Sequence, residues 1–402
     1  RCCLLILIGP CMEYQAIIHH SICYNEMRIK IIAADRLFIF RRNQNDTCQT
    51  EYGNLHPFQI NVLTRVLNII TVNNQECLSV TGRVGVCYTA EQCGKVKGLS
   101  QGTCALGFGV CCIVQLGCGG EAYVNNTYFD GPSTLGSGAG VCSLKIRPSK
   151  LYCQHRLQLD RFVLNKPQDS SGPCIQDQFA VTGVDSQVPV LCGTNNDQHI
   201  ILNTDGKTDP ITLYISAITP FVGREWRIRI INYVCGTSFL APPGCLQYLV
   251  GVTGQMQSFN YLSNRAGNHL SNLDYSICIR NEVGYCGICY QQCGPPATGS
   301  FSLSGTSMNS LNNGMTNGAD RCENDYIVIP CGGAQVNPSP ACGADRFCGG
   351  TLNPGLTSVV TQGKVCSVQQ PFTVNVITDN AEAVGETEKS GFCLLYEQIK
   401  CS

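Results

Sequence analysis

Cys286 and Cys289 stand three residues apart in YCGICY, the spacing of a dithiol that passes electrons to a substrate disulfide. Such a centre needs its first cysteine at a helix N-terminus, where the dipole stabilises the thiolate. Here tyrosines alternate around the pair in a strand-like run, and no βαβ pattern surrounds it. The pair therefore reads as structural bridging. Histidine chemistry fares no better, because the 6 histidines form no H-E-x-x-H zinc helix.

CGGTLNPG, from Cys348 to Gly355, has the wording of a serine-protease segment. A triad also needs a nucleophile with His and Asp placed to activate it, and neither G-D-S-G-G nor G-x-S-x-G occurs. No catalytic residue is assigned, and the chain reads as a non-enzyme.

The cysteines decide the compartment. The chain has 402 residues and 29 cysteines, close to the density of secreted disulfide scaffolds, and a reducing cytosol would leave such thiols unpaired. Between Gly85 and Cys112 five cysteines crowd together and end on an adjacent pair. From Cys77 onward the gaps are nine, five, ten and six residues with no histidine between. Zinc knuckles need paired C-x2–4-C spacings, so these cysteines are staples. Charged residues make up 14% of the chain and the net charge is −1, which excludes a basic nucleic-acid surface. No run of eighteen apolar residues predicts a membrane span. The expected setting is secreted and extracellular.

CCLLILIG, from Cys2 to Gly9, reads as the remnant of a signal-peptide core, and no initiator Met precedes it. MRIKIIAADRLFIF suits either one strand or a short helix, and residues 1–61 are left as a leader or extension of unknown fold. Five cysteines before residue 61 leave an odd total, whereas the 24 from Cys77 on are even, which marks a self-contained bridged unit from about residue 62. The sequons at Asn45 and Asn125 predict surface glycans on a secreted chain.

Beyond Cys112 the chain repeats. Cys118, Cys142, Cys153, Cys174, Cys192 and Cys235 are answered in order by Cys245, Cys278, Cys286, Cys322, Cys348 and Cys401. CIQDQFAV (Cys174 to Val181) is answered by CENDYIVI (Cys322 to Ile329), and VLCGT by RFCGGT. A period above a hundred residues indicates tandem domains. HRLQLDRFVL, ITLYISAI and EWRIRIINYV alternate apolar and polar residues between turn clusters, so each repeat is expected to be an antiparallel β-sandwich. Trp226 alternates with Ile228 and Ile230, which places it in a core. The expected domains are 62–114, 115–238 and 239–402.

The six cysteines from Cys77 to Cys112 resemble the clip module of arthropod secreted proteins. That resemblance implies the bridges Cys77–Cys111, Cys87–Cys104 and Cys93–Cys112. The repeats, with an opening GG…Y segment, L-x-L-x-x-F-x-L, C-x-x-D-x-x-x-V and C-G, resemble CUB domains. APPGCLQY…SFNY…YSICIR…GYC resembles a group of secreted arthropod clip-plus-CUB proteins. The CUB resemblance implies Cys118–Cys142, Cys174–Cys192, Cys245–Cys278 and Cys322–Cys348. Some CUB domains hold Ca2+ through a Glu and two Asp residues, hard oxygen ligands that suit the ion. The first repeat offers only Asp177, with Asn165 at the Glu position. The second offers Asp325 and Asp379, with Ser304 at the Glu position, so a weakened calcium site is placed there. No cofactor is required.

Other cysteines are paired from their neighbourhoods. Cys331–Cys342 would close a short Gly/Pro loop, and Cys366 and Cys393 sit on flanking segments as cross-strand partners. Cys153–Cys235 and Cys286–Cys401 are equivalent in the repeat, but Cys235–Cys245 across the linker competes; Cys289 and Cys293 are left open. The function expected is non-enzymatic extracellular binding or assembly. Rigid sandwiches would present loops and edge strands to another protein or to copies of the chain, up to a polymer. The rival is a haemolymph or immune recognition protein, or a protease-cascade adaptor, that binds one defined partner.

Overall fold

The computed structural model describes residues 72–131, 138–168, 172–263, 268–295, 298–303, 322–334, 344–354, 363–380 and 389–401. It also gives the backbone of five strands before residue 51. Those five form a separate compact unit, an antiparallel meander of Cys3–Ile6, Ala16–Cys23, Glu26–Ala33, Arg36–Arg41 and Gln49–Thr50. MRIKIIAADRLFIF is thus two paired strands rather than one strand or a helix.

The second unit runs from Ile70 to Ser402 and is almost entirely β. It opens with Glu76–Leu78, Val84–Tyr88, Leu99–Cys104 and Gly109–Leu116 around one short helix, Ala90–Lys95. The helix starts where it does because Thr89 and Gln92 form a capping box, each side chain accepting the other's backbone N–H. Its one buried residue, Cys93, is bonded to Cys112. So small a unit cannot bury enough apolar surface by itself, and covalent links replace a core.

This unit does not hang on a linker. Gly109–Leu116 continues past the last cysteine and pairs in parallel with Thr127–Gly131. One sheet therefore runs His199–Asn203, Tyr152–Val163, Glu225–Val234, Thr127–Gly131, Gly109–Leu116, Val84–Tyr88 and Glu76–Leu78. Tyr128 locks the junction: its hydroxyl accepts from Val84 N–H and donates to Val84 C=O, both at 3.0 Å. Arg83 adds an ion pair to Asp130 at 2.9 Å. The substitution Tyr128→Phe is expected to destabilise the fold by about 1–2 kcal/mol, since it orphans a backbone pair at a half-buried site. Hydrogen exchange should show a faster amide at Val84.

The first sandwich packs this sheet on Gly120–Ala122, Gly140–Ile146, Ile211–Ala217 and Asp177–Thr182. Leu157, Leu159 and Phe162 are all buried although their spacing breaks strict alternation. A bulge between Leu159 and Arg161 supplies the extra residue and returns Phe162 to the core. Phe162 meets Phe179 edge-on at 5.5 Å. Trp226 is 1% exposed beside Phe129, and Gly131 opposite it is obligatory: a Cβ there would lie 2.0 Å from the indole.

The second sandwich has one sheet of Cys245–Leu249, Asp274–Ile279, Phe372–Ile377, Tyr326–Gly332 and Ala344–Phe347. The facing sheet is Thr253–Gln257, Gly391–Lys400, Tyr285–Gln292 and Val365–Ser367, with Phe301–Ser302 beside Gly391–Lys400. Ile277, Ile288, Val374, Val376 and Leu394 fill the space between them with no exposure.

Candidate functional site

Every described cysteine from Cys77 on is in a disulfide. The N-terminal unit holds Cys77–Cys111, Cys87–Cys104 and Cys93–Cys112. The sandwiches hold Cys118–Cys142, Cys174–Cys192, Cys245–Cys278 and Cys322–Cys348. Cys331 is disulfide-bonded, and Cys342 lies outside the described residues. Cys366 and Cys393 are not each other's partners: the structure has Cys289–Cys366 and Cys293–Cys393. Tyr285–Gln292 lies between the strands carrying Cys366 and Cys393, which puts those two strands roughly 9–10 Å apart, beyond the reach of one bridge.

The alternatives around Cys235 and Cys286 resolve through backbone bulges. Cys153 is the extra residue between Tyr152 and Gln154, and Cys286 the extra residue between Tyr285 and Gly287. A bulge re-aims its side chain, and each cysteine is joined to one at the end of the last strand of its sandwich, Cys235 and Cys401. Cys286 and Cys289 thus have separate partners and sit on a strand, with no helix terminus to stabilise a thiolate. Cys153 and Cys235 also lie near Asp205, but sulfurs in a disulfide offer no thiolate to a metal.

The described histidines are structural acceptors or donors. His155 bonds Asn232 at 2.8 Å and His269 bonds Leu303 C=O at 2.9 Å. His19 and His20 belong to a strand of the separate N-terminal unit. In CGGTLNPG, Cys348 is bridged and Thr351 is fully buried.

Asp177 lies at the end of its strand with no exposure, and its charge is answered inside the protein. Arg224 donates to both carboxylate oxygens at 2.9 and 3.0 Å, and Asn165 N–H adds a bond of 2.7 Å. The guanidinium also donates to Gly138 C=O and Thr219 C=O. A cation is already built into the first sandwich at this carboxylate. In the second, Asp325 is 3% exposed and accepts from Asp379 N–H at 3.0 Å, so those two residues are adjacent. Ser304 lies outside the described residues.

The strongest polar construction joins the two sandwiches. Asn260 donates its backbone N–H to Asn195 at 2.7 Å and accepts from Thr194 N–H at 2.9 Å through its carboxamide oxygen. That approach requires Gly193, where a Cβ would fall 2.0 Å from the Asn260 oxygen. Gln198 donates to Ser258 C=O and accepts from Gln247. Gln154 and Ala241 exchange two bonds of 2.8 Å. His199 accepts the Tyr248 N–H at 2.8 Å, which requires an unprotonated Nε2. Burial first, and the nearby Arg156 charge second, push the His199 pKa down to about 3 against the pull of the Tyr248 bond. The joint is a set of satisfied buried amides, so the sandwiches hold one orientation. Sequence patterning gives little sign of it: Asn195, Gln198 and Asn260 lie in turn-like stretches, and only His199, placed among Ile200, Ile201 and Leu202, hints at a buried imidazole.

Asn125 is half-buried, and its side-chain carboxamide oxygen accepts from Asn232 N–H at 2.8 Å. The sequon hydroxyl of Thr127 donates to Val124 C=O. Asn45 lies outside the described residues.

Residues 242–399 match the family model of the animal CUB domain. No curated protein matches the chain. Similar solved structures include the CUB1-EGF-CUB2 domains of rat MASP-1, at 13% identity over 70% of this chain and 99% of that one, with a TM-score of 0.24. The CUB1-EGF-CUB2 domain of human MASP-1/3 is also 13% identical, over 69% and 100%, with a TM-score of 0.23. The full extracellular region of zebrafish Gpr126/Adgrg6 is 12% identical, over 70% of this chain and 37% of that one, at 0.24. No described helix is long and apolar enough to cross a membrane. The family match falls on the second sandwich, which is thus similar to the animal CUB domain, a module that mediates protein–protein interaction in extracellular proteins.

Proposed function

We propose that the chain is a secreted, non-enzymatic binding and assembly protein, in which a clip-like disulfide unit and two CUB-type sandwiches present a preorganised surface to other extracellular proteins. The observation that carries the reading is the amide joint around Asn195, Gln198, His199 and Asn260. It fixes two rigid bodies before any partner arrives, and preorganisation lowers the ordering cost of association. The bridged cysteines fit the same reading, because they leave the CGIC segment without a free thiol.

The test is thiol labelling of native protein recovered from a secretory host, with its mass on a non-reducing gel. Labels at Cys286 or Cys289 would revive thiol chemistry and end the proposal. Calcium at Asp325 and Asp379 belongs to the same proposal, supported by the adjacency of the two residues. Chelation with EDTA is then expected to lower Tm, and an unchanged Tm removes the ion.

A further inference from the structure

A sheet ends on strands whose outer backbone groups must be paired, covered or left to water. Among the described residues most such edges are dealt with. His199–Asn203 and Cys245–Leu249 lie against each other at the joint. Asp177–Thr182 is bridged by Leu191, and Val365–Ser367 by Gly333. Gly120–Ala122 and Ala344–Phe347 carry charges that discourage further pairing.

Thr253–Gln257 has no bridging residue, charge or paired strand on its outer side, although Asn196–His199 line the groove beside Gln255 and Gln257 and Gln198 donates to Ser258 C=O just past its end. It pairs on one side only, with Gly391–Lys400, and its ladder has no bulge. Gln398 N–H bonds Val252 C=O at 2.7 Å and Ser258 N–H bonds Phe392 C=O at 2.9 Å, which sets the phase. Gly254 and Met256 therefore face the partner strand, and the N–H and C=O groups of Thr253, Gln255 and Gln257 point outward. The side chains of Thr253 and Gln255 are exposed, and no charged residue occurs from 230 to 264. Val250 and Val252, 54% and 37% exposed, flank the edge.

This edge is complementary to itself. A second Thr253–Gln257 laid antiparallel puts Gln255 opposite Gln255 and Thr253 opposite Gln257. About six backbone hydrogen bonds result, and no like charges are opposed. Gly254 faces Met256 and leaves it room. We propose that Thr253–Gln257 is a self-association edge, at which a second copy of the chain adds its own strand across a two-fold axis at Gln255. The inference rests on the reading of the chain as an assembly protein and names the surface it would use.

Sedimentation velocity on the full oxidised chain tests it, across a concentration series. The expected result is a monomer–dimer equilibrium, with the Gln255 amide exchanging slowly only where dimer dominates. Gln255→Pro removes an N–H that points away from Gly391–Lys400, so the chain's own ladder survives. It is expected to weaken association about tenfold or more, since one bond is lost from each copy. Gln255→Lys and Gln255→Glu should each be monomeric, and an equal mixture of the two should dimerise. Should the proline variant fail to fold, the charge pair decides alone. A wild type that stays monomeric, an association that ignores all three substitutions, or a mixture no tighter than either variant overturns the proposal. A monomer that still binds another extracellular protein would overturn it and leave the proposed function standing.

Discussion

Arg224→Ala is expected to destabilise the protein by about 3–5 kcal/mol, because it strands the Asp177 carboxylate in a site with no access to water. Both side chains have 0% exposure, so the loss should persist at high salt, which screens surface pairs but not buried ones. The double substitution Arg224→Met with Asp177→Leu removes both charges, and should recover much of that loss. A full recovery is not expected, because Arg224 also satisfies Gly138 C=O and Thr219 C=O, and Asp177 also holds Asn165 N–H. Urea unfolding of the two single variants and the double variant gives the coupling energy directly. A loss under 1 kcal/mol for Arg224→Ala would mean that the pair is solvated.

Acid should loosen the same molecule at a different place. The unfolded chain takes up a proton at His199 as pH falls below about 6.5, whereas the folded chain holds it neutral down to about pH 3. The unfolded state therefore binds more protons across that window, and stability falls as pH drops through it. The slope is about 1.4 kcal/mol per pH unit, or about 3 kcal/mol lost by pH 4.5. Burial lowers the His155 pKa as well and adds loss in the same direction. His199→Gln keeps an oxygen acceptor for the Tyr248 N–H and cannot titrate, so its stability profile should be flatter between pH 6 and pH 4. Equal slopes for wild type and variant would clear His199 of the effect.

How much of this was legible in the sequence depends on whether the signal was local. Period-two alternation in HRLQLDRFVL, ITLYISAI and EWRIRIINYV is a property of each strand alone, and the all-β class follows from it. Trp226 is core for the same reason, since it shares a face with Ile228 and Ile230. Pairings that depend on which strand lies between two others are not local. Cys366 and Cys393 looked like neighbours because the order of strands in their sheet is invisible along the chain; Tyr285–Gln292 separates them. The bulges at Cys153 and Cys286 are equally hidden, since one extra residue in a strand leaves no compositional mark. Asp177 was visible as a carboxylate in C-x-x-D, but Arg224, 47 residues away, becomes its partner only through the fold. The amide joint is the least legible part, because asparagine and glutamine in turns read as solvated loops.

The shared sheet at the front of the second unit decides how a pull on that end would travel. Tension entering at Glu76 passes through the Cys77–Cys111 bond straight into Gly109–Leu116, and residues 78–110 become a side loop that carries little of it. From there it crosses to Thr127–Gly131 through a parallel ladder, where the hydrogen bonds are strained together in shear instead of opening one at a time like a zip. The Tyr128 hydroxyl and the Arg83–Asp130 pair stiffen that crossing. A tether anchored here would transmit force to the sandwiches without a swivel to absorb it.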